Sequence, residues 1–299
     1  MMVFLPLPGA PGFQAEKSGE TAANRDSVHN RGPVAAVQAT RAALPHIRPV
    51  PTMSRYDFRT PRLFVEAPLA AGVRLALDRD QANYLGNVLR LAPGDPVLAF
   101  NARDGEWRCL LQQEGRRSLF LAPVEMVRAQ EPAADLHYLF APLKAARLDY
   151  MVQKAVELGG SFLQPVITRH CQVARVNLER MRANAIEAAE QCGILTIATV
   201  GEAMPLAAAL GRLAPERVLV FCDEDAPVTD PVAALSAVAK GAPLAVLIGP
   251  EGGFAPEERA QLLRRDKVVR LSLGPRILRA DTAAVAALAL AQAVVGDWR

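Results

Sequence analysis

The spacing of apolar and polar residues divides the chain into three stretches. Residues 1–52 show no sustained period of either 2 or 3.6. From residue 62 to 127, short alternating runs predict strands at 62–66, 73–77, 97–100, 106–111 and 119–122, parted by turn signals such as Pro93-Gly94-Asp95 and Asp104-Gly105. One helix interrupts them at 80–91, with Ala82, Leu85, Val88 and Leu89 on one face and Asp78 ahead of it as a cap. These elements predict a small β-rich barrel.

After Glu131-Pro132 strand and helix alternate to the end. Strands are predicted at 136–141, 162–168, 218–222, 244–248 and 268–272, and helices at 148–158, 178–191 and 231–239. Pro256 opens a further short helix, and an alanine-rich helix at 283–295 closes the chain. Such alternation predicts an α/β domain with a parallel sheet flanked by helices on both faces. Ligands of these sheets bind beyond the carboxyl ends of the strands, which singles out the loops after Cys222, Ile248 and Ser272. The run at 283–295 is 13 residues long, well short of the ~20 that cross a membrane, and reads as a packed helix.

Composition then excludes several classes. With 51% hydrophobic and 22% charged residues, the chain is neither collagen-like nor disordered throughout. Residues 1–52 hold seven of the 23 prolines and carry five basic and three acidic residues, so only +1 of the net +3 belongs to residues 53–299. We expect 1–52 to be a disordered tail and Met53, which opens MSRYDFRTPRLFVE, to mark the domain boundary or the true start. The first 13 residues place Pro6, Pro8 and Pro11 in their apolar part with no basic residue before it, unlike a secretory signal, so the expected location is cytoplasmic. A balance so close to neutral means that nucleic-acid binding has to come from a local patch. Arg90, Arg103, Arg108, Arg116 and Arg117 lie on or near turns of the predicted barrel, and guanidinium groups both stack on bases and grip phosphates. A solvated arginine surface is the alternative.

Two segments carry candidate chemistry. Gly249-Pro250-Glu251-Gly252-Gly253-Phe254 follows a buried strand and lets backbone amides approach a ligand, yet matches neither a P-loop nor a nicotinamide-binding turn. The second, at 271–283, reads LSLGPRILRADTA: Gly274-Pro275 breaks the strand, and Asp281 or Thr282 is expected to cap the last helix. Arg279 stands just before that helix, and Ile277-Leu278 forms an apolar pair that calls for burial or a ligand. Cys109, Cys171, Cys192 and Cys222 are spaced like neither a zinc knuckle nor a redox pair and read as free thiols. Cys192 reads as packing rather than as a nucleophile, and His29, His46, His137 and His170 show no metal spacing, so no metal is expected.

Taken together, RLFVE at 62–66, LGNVLRL at 85–91, QKAVELG at 153–159, EAAEQCG at 187–193, IGPEGGF at 248–254, LGPRILRADTA at 273–283 and the closing GDW resemble one family, the bacterial ribosomal RNA small subunit methyltransferase E family. The resemblance runs from Met53 to Arg299 and departs locally at Asp281, where glutamate is the commoner residue. It implies methylation of uridine N3 in 16S ribosomal RNA, with S-adenosylmethionine as cofactor. The implied fold is a carboxy-terminal SPOUT domain tied in a trefoil knot (129–299), preceded by a small PUA-like β-barrel (53–128), acting as a homodimer on ribosomal RNA or the assembled small subunit, with no membrane. Carried onto this chain, cofactor contacts fall on Phe221, Glu224, Ile248, Gly249, Pro250, Gly252, Gly253, Leu271, Leu273, Gly274, Ile277, Leu278 and Thr282. RNA contacts fall on Arg62, Arg90, Arg103, Arg108, Lys144 and Arg147. Loss of the N3 proton makes that nitrogen nucleophilic, so Arg279 is expected to stabilise charge on the uracil oxygens and Glu251 or Asp281 to take the proton. Competing readings are a non-catalytic RNA-binding homologue, or methyl transfer to a ribose hydroxyl or to pyrimidine carbon 5, the last of which calls for a cysteine such as Cys192.

Overall fold

The structure is a computed structural model that describes residues 57, 59–115, 118–173, 175–223 and 225–298. The expected tail and start at Met53, and the expected roles of Arg116, Arg117 and Glu224, therefore lie outside the described residues. Strands β1 (Arg62–Phe64), β2 (Leu75–Ala76), β3 (Pro96–Phe100), β4 (Glu106–Glu114) and β5 (Ser118–Arg128) form one sheet in the order β1-β3-β4-β5-β2. Its pairs are antiparallel except β1 with β3. The order runs from one edge to the other, so the expected barrel is an open half-barrel. Leu63, Val97, Cys109, Leu111 and Leu121 fill its concave side.

Two local departures have clear causes. The helix expected to run to residue 91 is α1 (Arg79–Asn83), started by Asp78, whose carboxylate accepts from Gln81 N–H at 2.8 Å while Gln81 Oε1 accepts from Asp78 N–H. It continues as a wider π-helical turn, Tyr84–Val88, that swings Leu85 fully inward and stops where Arg90 adopts φ 57°. Strand β5 extends beyond the expected 119–122, straight through Pro123. That proline pairs with Cys109 beside a register shift, where a missing N–H costs least.

The second sheet is entirely parallel. In chain order its elements are β6 (Leu136–Phe140), α2 (Ala145–Glu157), β7 (Phe162–Ile167), α3 (Leu178–Cys192), β8 (Thr199–Val200), β9 (Met204–Pro205), α4 (Leu206–Arg212), β10 (Val218–Cys222), α5 (Pro231–Ser236), β11 (Leu244–Ile248), α6 (Pro256–Leu263), β12 (Val268–Leu271) and α7 (Ala280–Val294). Strand order is β12-β10-β11-β6-β7-β8, with β9 also pairing β7. Alternation sorts the side chains: Tyr138, Phe140, Val220 and Val246 face α2, α3 and α7, while Leu139, Leu219, Phe221 and Leu247 face α4 and α6. The segments β8, β9 and α4 were too short to register as periods.

Connection β11-α6-β12 steps over β10, and α7 then returns to pack on α2, α5 and β11 through Ala283, Ala284, Ala287, Leu288 and Ala291. Side chains this small let the helix approach closely. The two sheets share a core at Phe64 and Phe100, whose rings meet edge to face at 5.7 Å. Phe64 N–H donates to Glu190 Oε1 (2.8 Å), and Arg128 Nη2 donates to the Gly193 carbonyl (2.8 Å). No helix among the described residues is long and apolar enough to cross a membrane.

Candidate functional site

Because every strand of the second sheet points the same way, five loops converge at its carboxyl edge: those after β6, β7, β10, β11 and β12. The loop after β11 is the most constrained. A Cβ on Gly249 would lie 2.9 Å from the Phe254 ring, which packs edge-on against Phe221 with centroids 6.2 Å apart. A side chain at 249 would therefore have to push the Phe254 ring off Phe221, which glycine avoids. Gly253, at φ 69°, closes the turn by donating to the Pro250 carbonyl at 2.9 Å.

Two latches fix this loop to the segment after β7. Glu258 accepts from Ala255 N–H (2.9 Å) and Arg169 N–H (2.8 Å). His170 Nδ1, carrying its proton, donates between the Gly252 and Gly253 carbonyls at 3.2 and 3.1 Å. Neither latch was anticipated; the Glu three residues past Ala255, at the third position of α6, was the available signal. A third tie, also missed, is Asp223. Its buried carboxylate accepts from Arg270 Nε (2.7 Å) and Arg259 Nη2 (3.1 Å), holding the loop after β10 to β12 and α6.

Arg147, expected on RNA, is committed elsewhere. Nε and Nη2 donate to Asp281 at 2.9 and 3.2 Å, and Nη1 donates to Glu251. All three nitrogens are occupied, so one guanidinium joins α2, the loop after β11 and the first turn of α7. Arg147, foremost among several causes, holds the Asp281 carboxyl below the usual carboxylate range, which weakens Asp281 as a proton acceptor. Asp281 is not the cap either. The N-cap is Arg279, without a side-chain capping bond, and Asp281 accepts from the Thr282 N–H.

The residues singled out for a cofactor fall into two groups. Phe221, Ile248 and Leu271 are buried and form the floor of the edge. Leu273 and Leu278 pack partly against the core, while Gly249, Pro250, Gly252, Gly253, Gly274 and Thr282 line the loops above. Gly274 takes φ 92°. Leu278 meets the expected burial, but Ile277 is 98% exposed. A cavity of about 170 Å³ opens beside them, walled by Pro142, Leu143, Lys144, Arg147, Gln172, Val173, Pro250 and Glu251. Lys144, Arg276 and Arg279 are exposed and have no ion-pair partner among the described residues.

On the half-barrel, Arg90 and Arg103 are exposed and Arg108 is half exposed in a 3.4 Å pair with Glu125. Arg62, expected on RNA, is not at the surface: it is buried and its Nε donates to the equally buried Glu106 at 2.8 Å, so it is a structural ion pair rather than an RNA contact. Cys192 is exposed at the end of α3, on the amino edge of the sheet, with its thiol pushed up by partial desolvation; this is the wrong place for a nucleophile, and the shift disfavours the thiolate. Among the described residues no group of three or more His, Cys, Asp or Glu could hold a metal.

A parallel sheet whose carboxyl edge gathers glycine-bent loops over an apolar floor, ringed by cations with no ion-pair partner among the described residues, defines an α/β protein built to bind an anionic partner there. Comparison with known proteins specifies the class. A family model described as an RNA methyltransferase domain matches residues 129–292, and one described as an RNA methyltransferase PUA domain matches residues 77–124. Ribosomal RNA small subunit methyltransferase E of Rickettsia conorii is 29% identical over 229 residues, 76% of this chain and 93% of its own. The Bacillus subtilis protein of that name is 27% identical over 248 residues, 79% of this chain and 94% of its own. Among solved structures, the Neisseria gonorrhoeae methyltransferase E bound to S-adenosyl methionine matches with a TM-score of 0.69 at 26% identity, over 80% of this chain and 100% of that one. A putative methyltransferase from Legionella pneumophila in complex with the same cofactor gives 0.66 at 27% identity, over 79% and 98%. The chain belongs to the RNA methyltransferase family, with a PUA-like half-barrel ahead of a SPOUT-like parallel domain. The small-subunit methyltransferase E family named from its motifs is the one that its relatives carry.

Proposed function

We propose that this chain methylates N3 of a uridine in small-subunit 16S ribosomal RNA, using S-adenosylmethionine, as a cytoplasmic homodimer. The observation that carries the reading is the convergence of the Gly249–Gly253 loop, the apolar floor and the start of α7 under one arginine, Arg147. The fit to the donor rests on this chain's own surface. Ile277 stands fully in water next to the partly buried Leu278, an apolar contact waiting for a flat partner such as adenine, and Gly253 and Gly274 have open space beside their Cα atoms. When bound, S-adenosylmethionine supplies an electrophilic methyl group.

The protein's own residues do the rest. Backbone at Gly249, Pro250, Gly252, Gly253 and Gly274 and the side chains of Leu273, Ile277, Leu278 and Thr282 hold and orient the donor above Phe221, Ile248 and Leu271. Arg279 offers positive charge where anionic RNA enters. Both carboxylates pair with Arg147, but Glu251 lines the cavity wall and Asp281 does not, so Glu251 is the better placed of the two to take the N3 proton. Arg90, Arg103, Arg108 and Lys144 contact RNA, and the division falls at residue 128, the end of β5, with 53–128 as the RNA-binding domain and 129–299 as the methyltransferase domain. The knot of the SPOUT fold is in keeping with α7 returning from the β12 edge to pack on α2 and β11. Val228 and Val232 leave apolar surface for a second copy to cover.

Two measurements test this. Calorimetry with S-adenosylmethionine should show binding, and nucleoside mass analysis of ribosomal RNA from a deletion strain should lack 3-methyluridine until the gene is restored. Unchanged 3-methyluridine in the deletion strain sinks the assignment. Sedimentation should give a dimer.

A further inference from the structure

The cavity of about 170 Å³ at the carboxyl edge is bounded by three loops and by the first turn of α2. It is well under the roughly 300–1,000 Å³ of pockets that enclose drug-sized ligands. A whole S-adenosylmethionine is such a ligand, whereas a single pyrimidine ring is far smaller. Its charged walls are Lys144, Arg147 and Glu251, and the last two are spent on each other. Lys144 is therefore the one lining cation whose charge is not answered by the protein among the described residues. Its position makes no sense for the helix it begins. Lys144 is the N-cap of α2 and makes no side-chain capping bond, where Ser, Thr, Asp or Asn would satisfy an N–H and a positive charge is disfavoured by the helix dipole. A local rule broken without structural return marks a functional position.

We propose that this cavity receives the target uracil, turned out of its stack, and that Lys144 is a catalytic residue whose ammonium stabilises the uracil anion; this rests on the uridine N3 reading above. As the proton leaves N3, for Glu251 or water, the N–H electron pair stays on nitrogen and its charge spreads to O2 and O4. That pair forms the new N–CH₃ bond while the carbon–sulfur bond of the sulfonium donor breaks with its electrons remaining on sulfur. A cation against O2 or O4 lowers the cost of the first event, and Gln172, which lines the same cavity, offers a carboxamide for the imide edge.

The experiment uses the full chain and a small-subunit RNA that the wild type methylates, in single-turnover reactions at saturating RNA. Lys144→Met should slow transfer about 10–100-fold, with donor affinity within about twofold and an unchanged melting temperature, while Lys144→Arg keeps most of the rate. RNA transcribed with 5-fluorouridine, whose N3 is more acidic, should recover much of the Lys144→Met loss and should gain little with wild type. If Lys144→Met weakens RNA binding but leaves the saturated rate intact, or if 5-fluorouridine does not rescue it, Lys144 is a phosphate contact and the proposal falls. Failure of the underlying reading looks different: the wild type itself would bind no donor or leave N3 unmethylated.

Discussion

The two edges of the parallel sheet are hollowed by unequal cavities, and the larger is the less promising. At the amino edge a cavity of about 240 Å³ runs between Arg128, Glu157, Cys192, Gln292 and Trp298. Three of its polar side chains are spent internally: Gln292 donates to the Leu158 carbonyl and accepts from Asp297 N–H, Arg128 serves Glu106 and Gly193, and Glu157 pairs with Lys154. The smaller carboxyl-edge cavity has one lining cation, Lys144, that is unanswered among the described residues, and the loops of that edge carry an isoleucine standing in water and glycines at positive φ. Volume measures where chains fail to fill space; unspent charge and apolar surface measure what a partner must supply.

Glycines at the two edges give the sharpest way to break this contrast. Gly249→Val drives a side chain into the Phe254 ring and displaces the loop, and should weaken S-adenosylmethionine binding about 100-fold in calorimetry while the protein stays folded. Gly159→Ala, at the amino edge, places a methyl 2.1 Å from Gln292 Nε2 at φ 84°. It should cost roughly 2–4 kcal/mol, a melting temperature lower by about 5–10 °C, and leave the donor affinity of the folded protein unchanged. Donor affinity lost in Gly159→Ala and kept in Gly249→Val would reverse the assignment of the edges.

Arg147→Ala comes next in size. Freed from their shared partner, the Glu251 and Asp281 elements should separate, lowering donor affinity about tenfold and leaving RNA affinity in filter binding within about twofold. The opposite split would return Arg147 to the RNA-binding role expected from sequence. The pH dependence has a definite sign. Because Asp281 has a depressed pKa in the fold, its contribution is present above the ordinary carboxylate value of 3.8 and is lost as pH falls below it, through the lowered folded value. Arg147→Ala should remove that acid limb from a melting-temperature profile.

These contrasts also explain what the sequence could and could not disclose. The parallel strands at 218–222 and 244–248 were legible because strands buried on both faces read as unbroken apolar runs. The IGPEGGF loop was legible because glycines cluster where a backbone must come close. Arg62 and Arg147 were misplaced for one shared reason: a surface arginine and an arginine answering a carboxylate 44 or more positions away are identical in sequence. The latches at Glu258 and His170 and the buried Asp223 escaped because their partners lie on other loops, brought together only by strand order.

The junction of half-barrel and parallel domain supplies a smaller test, away from either edge. Glu190, accepting from Phe64 N–H, is raised to about 7 by burial, with the neighbouring Glu187 adding to the effect. A carboxyl raised in the fold contributes most stability at low pH, and that contribution is lost as pH rises from the ordinary 4.5 through about 7. Glu190→Gln keeps a carbonyl acceptor for Phe64 and removes the buried charge. It should raise stability at pH 8 by about 1 kcal/mol, allowing for its partial solvent contact, and flatten the melting profile between those values. An unchanged profile would mean that water reaches the carboxylate and the junction is looser than its hydrogen bonds imply.

The smallest expected effect is Cys192→Ser. Methylation at pyrimidine carbon 5 needs a thiolate beside the ring, whereas Cys192 lies on the amino edge, where partial desolvation pushes its thiol up. Methyl transfer at saturating donor and RNA should therefore stay within about twofold of wild type, with at most a degree or so of melting temperature lost. A drop of 100-fold or more would place chemistry at the edge whose polar groups are already spent, and the contrast between the two cavities would have to be drawn the other way.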